Sequence, residues 1–157
     1  MDRMRESVFM TLGDLSGKSF LDFFSGSGII ALEAASRGAI YIEAVEADPL
    51  KRGTLLENVR ISPVRINCRF MPVELYVKRG KRRFDIIFCD PPFAYNYKWE
   101  LLRSISTSIL MNGASLLVLH HPREDFCDKP SPMLSLRDSR EFGRSTVSFY
   151  EFCAQEN

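Results

Sequence analysis

Residues Phe20-Leu21-Asp22-Phe23-Phe24-Ser25-Gly26-Ser27-Gly28 decide the fold: an apolar run carrying one acidic residue passes into a loop with two glycines. The run predicts a buried strand over 19–24, and the segment after it predicts a helix over 29–37 that Gly38 stops. Glycines between a strand and a helix let the backbone turn sharply and approach a ligand, because no Cβ intrudes. Outward from this unit the alternation repeats. Strands are predicted over 40–46, 64–70, 84–89 and 115–121, and helices over 49–60, 73–78 and 98–110. A first helix is predicted over 2–12, where Met4, Val8, Phe9 and Leu12 recur at helical spacing. This alternation predicts an α/β fold, a mostly parallel doubly wound sheet. Residues 134–140 and 145–152, joined at Gly143, predict a C-terminal hairpin that adds an antiparallel edge strand. The expectation is one domain over 1–157, without repeats or low-complexity segments.

Composition narrows the function classes. Hydrophobic residues make up 45% of the chain, enough for a real core. Formal net charge is +1, so contact with a nucleic acid must come from a local cluster of Lys and Arg. Cys68, Cys89, Cys127 and Cys153 show no Cys-x-x-Cys spacing, and His120 and His121 are adjacent on one expected strand. Neither a metal site nor a disulfide framework is expected. No apolar run reaches membrane-spanning length, and the first residues form no apolar signal segment. A cytoplasmic monomer with no membrane partner is the expectation.

Chemistry gathers at two places. After the glycine loop, Glu46 ends the next strand, 18 residues beyond Gly28. That is close to the offset at which an acidic residue holds a ribose diol, since a carboxylate accepts two hydrogen bonds from a cis-diol. The loop alone does not name the cofactor, because nicotinamide enzymes use related geometry. Two details lean away from a dinucleotide. Ala31 stands where a third glycine would be, and Asp22 puts negative charge near the loop. Such a charge suits a sulfonium and an amino acid ammonium better than a pyrophosphate.

Further along, the buried-strand pattern 84–89 delivers Asp90-Pro91-Pro92-Phe93 at its carboxyl end. A residue before proline is pushed to extended geometry, and proline has fixed φ and no N–H. The loop is therefore stiff and rich in acceptors. An exocyclic amine on a base is a poor nucleophile because its lone pair is delocalised into the ring. The Asp90 carboxylate and the Pro91 carbonyl are the candidate acceptors for its two hydrogens, and Phe93 offers a flat face to an extruded base.

With these residues in hand, nearly the whole chain resembles the RsmD-type 16S ribosomal RNA guanine-N2 methyltransferases of bacteria. The likeness runs through Arg5-Glu6-Ser7-Val8-Phe9, the stretch from Phe20 to Ala39, Val45-Glu46-Ala47-Asp48, and Asp90-Pro91-Pro92-Phe93. It implies a Rossmann-like class I methyltransferase fold, S-adenosylmethionine as cofactor, and 16S ribosomal RNA or the small ribosomal subunit as partner. Carried over residue by residue, Asp22, Gly26 and Gly28 would hold the amino acid end of the cofactor, and Glu46 its ribose. Ser27 and Val73 complete the expected cofactor set, and Asp90, Pro91 and Phe93 the catalytic set. The chain departs from the family in three ways. It starts almost at the opening helix, where relatives first carry a basic segment and a small strand pair. Pro72 stands where an Asp near the adenine amino group is usual, with Glu74 two residues on. Met10 replaces a usual Asn.

Other residues weigh less. Lys78, Arg79, Lys81, Arg82 and Arg83 surround Gly80 between a helix and a strand, so they should project at the sheet end opposite the site. Arg5, Lys98 and Arg123 are better placed as phosphate contacts. His120 and His121 read as strand-end histidines near the cleft, and Tyr95 and Trp99 as possible pocket walls. Three alternatives stay open: a shortened relative that binds cofactor or RNA without turnover, an amino methyltransferase with another nucleic-acid target, and a nicotinamide oxidoreductase.

Overall fold

The computed structural model describes residues 2–153; Met1 and 154–157 of the expected domain lie outside the described residues. In chain order the elements are α1 (Asp2–Leu12), β1 (Ser19–Phe23), α2 (Ile29–Ser36), β2 (Tyr41–Val45), α3 (Arg52–Val59), β3 (Ile66–Arg69) and α4 (Val73–Arg79). They continue with β4 (Ile86–Cys89), α5 (Lys98–Ser106), β5 (Leu116–Pro122), β6 (Leu134–Phe142) and β7 (Ser145–Phe152). The seven strands form one sheet in the order β3-β2-β1-β4-β5-β7-β6. The first five run parallel, and β7 pairs antiparallel with both β5 and β6.

Successive residues of a strand face opposite sides of the sheet, so each buried strand feeds two cores. Phe20, Ile42, Ala44, Phe88 and Val118 pack on one face with Val8 and Phe9 of α1, Ala31 and Ala34 of α2 and Leu55 of α3. Leu21, Phe23, Val45, Ile87 and Leu117 pack on the other face with Val73 and Val77 of α4 and Leu101 and Ile105 of α5. The sheet is doubly wound, as the alternation predicts. The first helix earns its place through Phe9, which is fully buried with its ring 6.0 Å from that of Phe20. Burying such a side chain contributes roughly 1.5–3 kcal/mol.

Three predicted elements differ in form. The helix expected over 49–60 is a 3-10 turn at Pro49–Lys51 followed by α3, because the Asp48 side chain accepts the Leu50 N–H at 2.9 Å and tightens the start. The helix expected to reach 110 ends at Ser106, where the Ser106 and Thr107 hydroxyls donate back to the Arg103 carbonyl. The hairpin adds two antiparallel strands, and the later one lies inside the sheet. Residues 145–150 are all buried, whereas β6 carries Arg137, Asp138, Arg140 and Glu141 and suits an edge. No helix among the described residues is long and apolar enough to cross a membrane.

Candidate active site

The sheet order reverses direction between β1 and β4, which is where an open α/β sheet leaves a crevice beyond its strand carboxyl ends. Asp22 near the end of β1, Glu46 just after β2, Asp90 just after β4 and His120 late in β5 all line one cleft there. Its volume is about 790 Å³, within the range of cofactor-sized pockets.

The glycine loop forms one wall. Gly28 adopts φ 84° at the start of α2, and a Cβ on it would lie 2.7 Å from Leu55 Cδ1. Its glycine is required twice, by conformation and by the approach of α3. Gly26 adopts φ 57°, yet a Cβ there would meet nothing within 4 Å, so the space above it is open to a ligand. Ser27 is exposed at the loop tip. The Glu46 carboxylate accepts the Gly26 N–H at 2.7 Å through Oε1 and the Asp48 N–H at 2.9 Å through Oε2. It therefore ties the loop to the end of β2 while its outer lone pairs face the cleft. Val73 is buried at the start of α4 and contributes an apolar wall.

Asp22 lies beneath this loop and is 1% exposed. The Ser25 hydroxyl donates to its Oδ2 at 2.8 Å. Burial pushes its carboxyl up to about 7, Asp90 and Glu46 add like charge, and the Ser25 hydroxyl and the Ala31 N–H only partly oppose them. A cation placed over the open loop would favour the ionised form. The residues present thus fit a ligand with a sulfonium and an ammonium group, and Glu46 fits one with a diol.

The second wall is the Asp90 loop. Pro91 is buried, Pro92 and Phe93 are exposed, and Phe93 presents 71% of its surface. The Pro92 carbonyl accepts the Tyr95 N–H at 2.9 Å and closes the turn. No described N–H donates to the Pro91 carbonyl, so it is free to accept. Asp90 Oδ1 lies 2.9 Å from His120 Nδ1, and His120 Nε2 lies 2.8 Å from Ser145 Oγ on β7. The sequence reading missed this chain of contacts. Its signal was a polar residue at the carboxyl end of the strand beside the Asp90 strand, but the pairing of β7 that supplies Ser145 is long-range.

Other expectations resolve individually. Tyr95 does line the cleft, and its hydroxyl donates to Glu74 at the start of α4. Burial, followed by the Glu74 contact, raises the Tyr95 pKa, and its ring meets Phe24 edge-on at 5.1 Å. Trp99 instead packs toward His121, 5.9 Å between ring centroids. Lys98 is not an open phosphate contact: it is 8% exposed and its Nζ pairs with Asp125 Oδ2 at 2.7 Å. Arg123 is exposed and pairs with Glu141 at 3.0 Å. The basic loop lies at the far end of the sheet, with Arg82 stacked 3.6 Å above the Tyr41 ring and Arg83 paired to Asp85 at 2.7 Å. Among the described residues no group of His, Cys, Asp and Glu could hold a metal ion.

The doubly wound sheet, its cleft at the switch point and its two antiparallel strands define the fold of S-adenosylmethionine-dependent methyltransferases. Residues 1–151 match the family described as Conserved hypothetical protein 95, and the chain belongs to that family. The Bacillus subtilis protein YlbH, named as a candidate rRNA methyltransferase, is 27% identical over 156 residues, 96% of this chain and 85% of its own length. The tRNA1(Val) (adenine(37)-N6)-methyltransferase of Flavobacterium psychrophilum is 37% identical over 84 residues, 51% of this chain. The chain spans only 36% of that relative. The solved structure of the Escherichia coli yhhF protein, itself described as a candidate methyltransferase, superposes with a TM-score of 0.89. It is 24% identical, with 99% of this chain and 87% of that one covered.

Proposed function

We propose that this chain uses S-adenosylmethionine to methylate an exocyclic amino nitrogen of a base in RNA, and that the acceptor is the N2 amino group of a guanine in 16S ribosomal RNA. The observation that carries this reading is Asp90: one carboxylate oxygen is held by His120, the other lacks a protein partner among the described residues, and Pro91-Pro92-Phe93 follow at the mouth of the cleft.

When bound, S-adenosylmethionine supplies a methyl electrophile whose sulfur keeps the C–S bond pair. Asp22 and the Gly26-Ser27-Gly28 backbone hold its charged end, Glu46 its diol, and Val73 an apolar flank. Asp90 Oδ2 and the Pro91 carbonyl accept the two amino hydrogens of the base and so turn the nitrogen lone pair toward the methyl group. Phe93 stacks on the base once it is drawn from its neighbours. After the N–C bond forms, the nitrogen gives one proton to water in the open cleft.

The near-complete coverage shared with the B. subtilis protein supports a ribosomal RNA target, as does the family resemblance over Phe20 to Ala39. A second reading, adenine N6 in transfer RNA, has the 37% identity over half of the chain in its favour. The test is transfer of labelled methyl to unmodified small ribosomal subunits and to unmodified transfer RNA, with nucleoside mapping of the product. Label on guanine N2 is expected, reduced about 10²–10³-fold by Asp90→Ala with no change in thermal midpoint. Label on adenine N6 would move the target to the second reading, and no label with either RNA would overturn the activity.

A further inference from the structure

The Asp90–His120–Ser145 chain joins three strands across the sheet. Asp90 follows β4, His120 lies in β5, and Ser145 opens β7. The Ser145 hydroxyl is 2.8 Å from His120 Nε2 and 3.2 Å from the Phe142 carbonyl. It has one proton to give. With a neutral imidazole that proton goes to Nε2, the shorter contact, which leaves the ring proton on Nδ1, facing Asp90. With a protonated imidazole Nε2–H donates to Ser145, which then donates to Phe142. Nδ1 carries a proton toward Asp90 in both states. Ser145 is 6% exposed and so is closed to a substrate, and the resemblance to a hydrolytic triad goes no further than connectivity.

Asp90 shares its surroundings with other acidic groups. Asp22 and Glu46 line the same cleft, Cys89 precedes Asp90 in the chain, and Asp22 and Asp90 repel. On its other side His120 is next to His121, whose Nδ1–H donates to the Pro122 carbonyl and whose Nε2 meets Ser148. Lys98 and Asp125 lie beyond His121 and pair with each other. His120 is the one group in this set that brings an N–H to Asp90.

We infer that His120 is a positioning residue for methyl transfer: with its tautomer set by Ser145, it fixes Asp90 Oδ1 so that Oδ2 points to the acceptor amine. This rests on the proposed reading of Asp90. It also gives the antiparallel strand β7 a part in the site.

The test uses the full chain with His120→Leu, His120→Asn and Ser145→Ala. Asn presents its amide nitrogen near the place of Nδ1, so it restores the bond that Leu removes. Expected for His120→Leu is a fall in kcat of about 100-fold, the scale of a misaligned reacting group. Cofactor affinity should stay within about twofold, so that the loss falls on kcat. His120→Asn should recover most of the loss. Equal activity of the Leu and Asn variants would overturn the inference. A readout independent of activity is the ¹⁵N spectrum of the His120 ring in the free protein. A proton on Nδ1 in the wild type, shifting toward Nε2 in Ser145→Ala, is expected. A wild-type proton on Nε2 alone would overturn the inference even if methyl transfer is found. Absence of methyl transfer together with the expected spectrum would overturn the reading of the site and, with it, the role of His120 in that reaction.

Discussion

Strands β1 and β4 carry a carboxylate at each end of their shared ladder, and the two ends differ in kind. At the carboxyl end Asp22 is buried with only the Ser25 hydroxyl and the Ala31 N–H to stabilise its charge, and burial pushes it up to about 7. At the amino end burial also raises Asp85, but the Ser19 N–H at 2.9 Å, the Arg83 guanidinium and the Ser19 hydroxyl outweigh it and hold the group below the usual carboxylate range. An acid that is fully paired inside the protein is part of the scaffold. One that is buried and underpaired keeps part of its interaction capacity for something else.

The largest effect expected from this contrast is at Asp22. Because its folded-state pKa is raised from 3.8 to about 7, its contribution to stability is fully present below 3.8 and is lost as pH rises through about 7, a change on the order of 4 kcal/mol. Asp22→Asn should therefore melt higher than wild type at pH 8 and lose most of that advantage at pH 5. The same variant should lose S-adenosylmethionine binding by calorimetry, and wild-type affinity should tighten from pH 6 to pH 8. Affinity that is flat across that range would break the contrast on the cleft side.

A smaller effect is expected at the other end. Asp85→Ala leaves the buried Ser19 N–H without its acceptor, at a cost of about 1–3 kcal/mol, read as a lower thermal midpoint. Since Asp85 is held low, its stabilisation is present above 3.8 and lost as pH falls below that value. The difference between wild type and variant should thus shrink in strong acid, with methyl transfer unchanged at a temperature where both are folded. The smallest effect is at Arg82, whose stacking on Tyr41 is worth roughly 0.5–1 kcal/mol. Arg82→Ala should alter RNA affinity by less than about twofold. A loss near tenfold would bring the amino end of the sheet into the RNA interface and blur the division between the two ends.

The sequence revealed the cleft end through local signals. Apolar runs, two glycines and the Asp-Pro-Pro-Phe step each constrain their own neighbourhood, so the strand, loop and helix around Asp22 and the loop at Asp90 were all readable. What was hidden depends on distant pairing. Ser145 meets His120 only because β7 enters between β5 and β6, and a hairpin read from its own residues gives no reason for that placement. Lys98 was expected as a phosphate contact because it follows the Asp-Pro-Pro-Phe loop, yet its largely covered amine pairs with Asp125, which lies 27 residues further along the chain. The broken helix at Pro49–Lys51 turned on a single side-chain acceptor, Asp48, competing with helical bonding.

The reversal of strand order between β1 and β4 has a consequence for inheritance. The wall made by Asp22, Gly26 and Glu46 comes from one half of the chain, and the wall made by Asp90 and His120, with Ser145 behind it, from the other, with the β1–β4 ladder as the seam. On the proposed reading the first half serves the donor and the second the acceptor. Selection can then rework the second half toward a new base while the first keeps a common methyl source, as a tool changes its bit and keeps its handle.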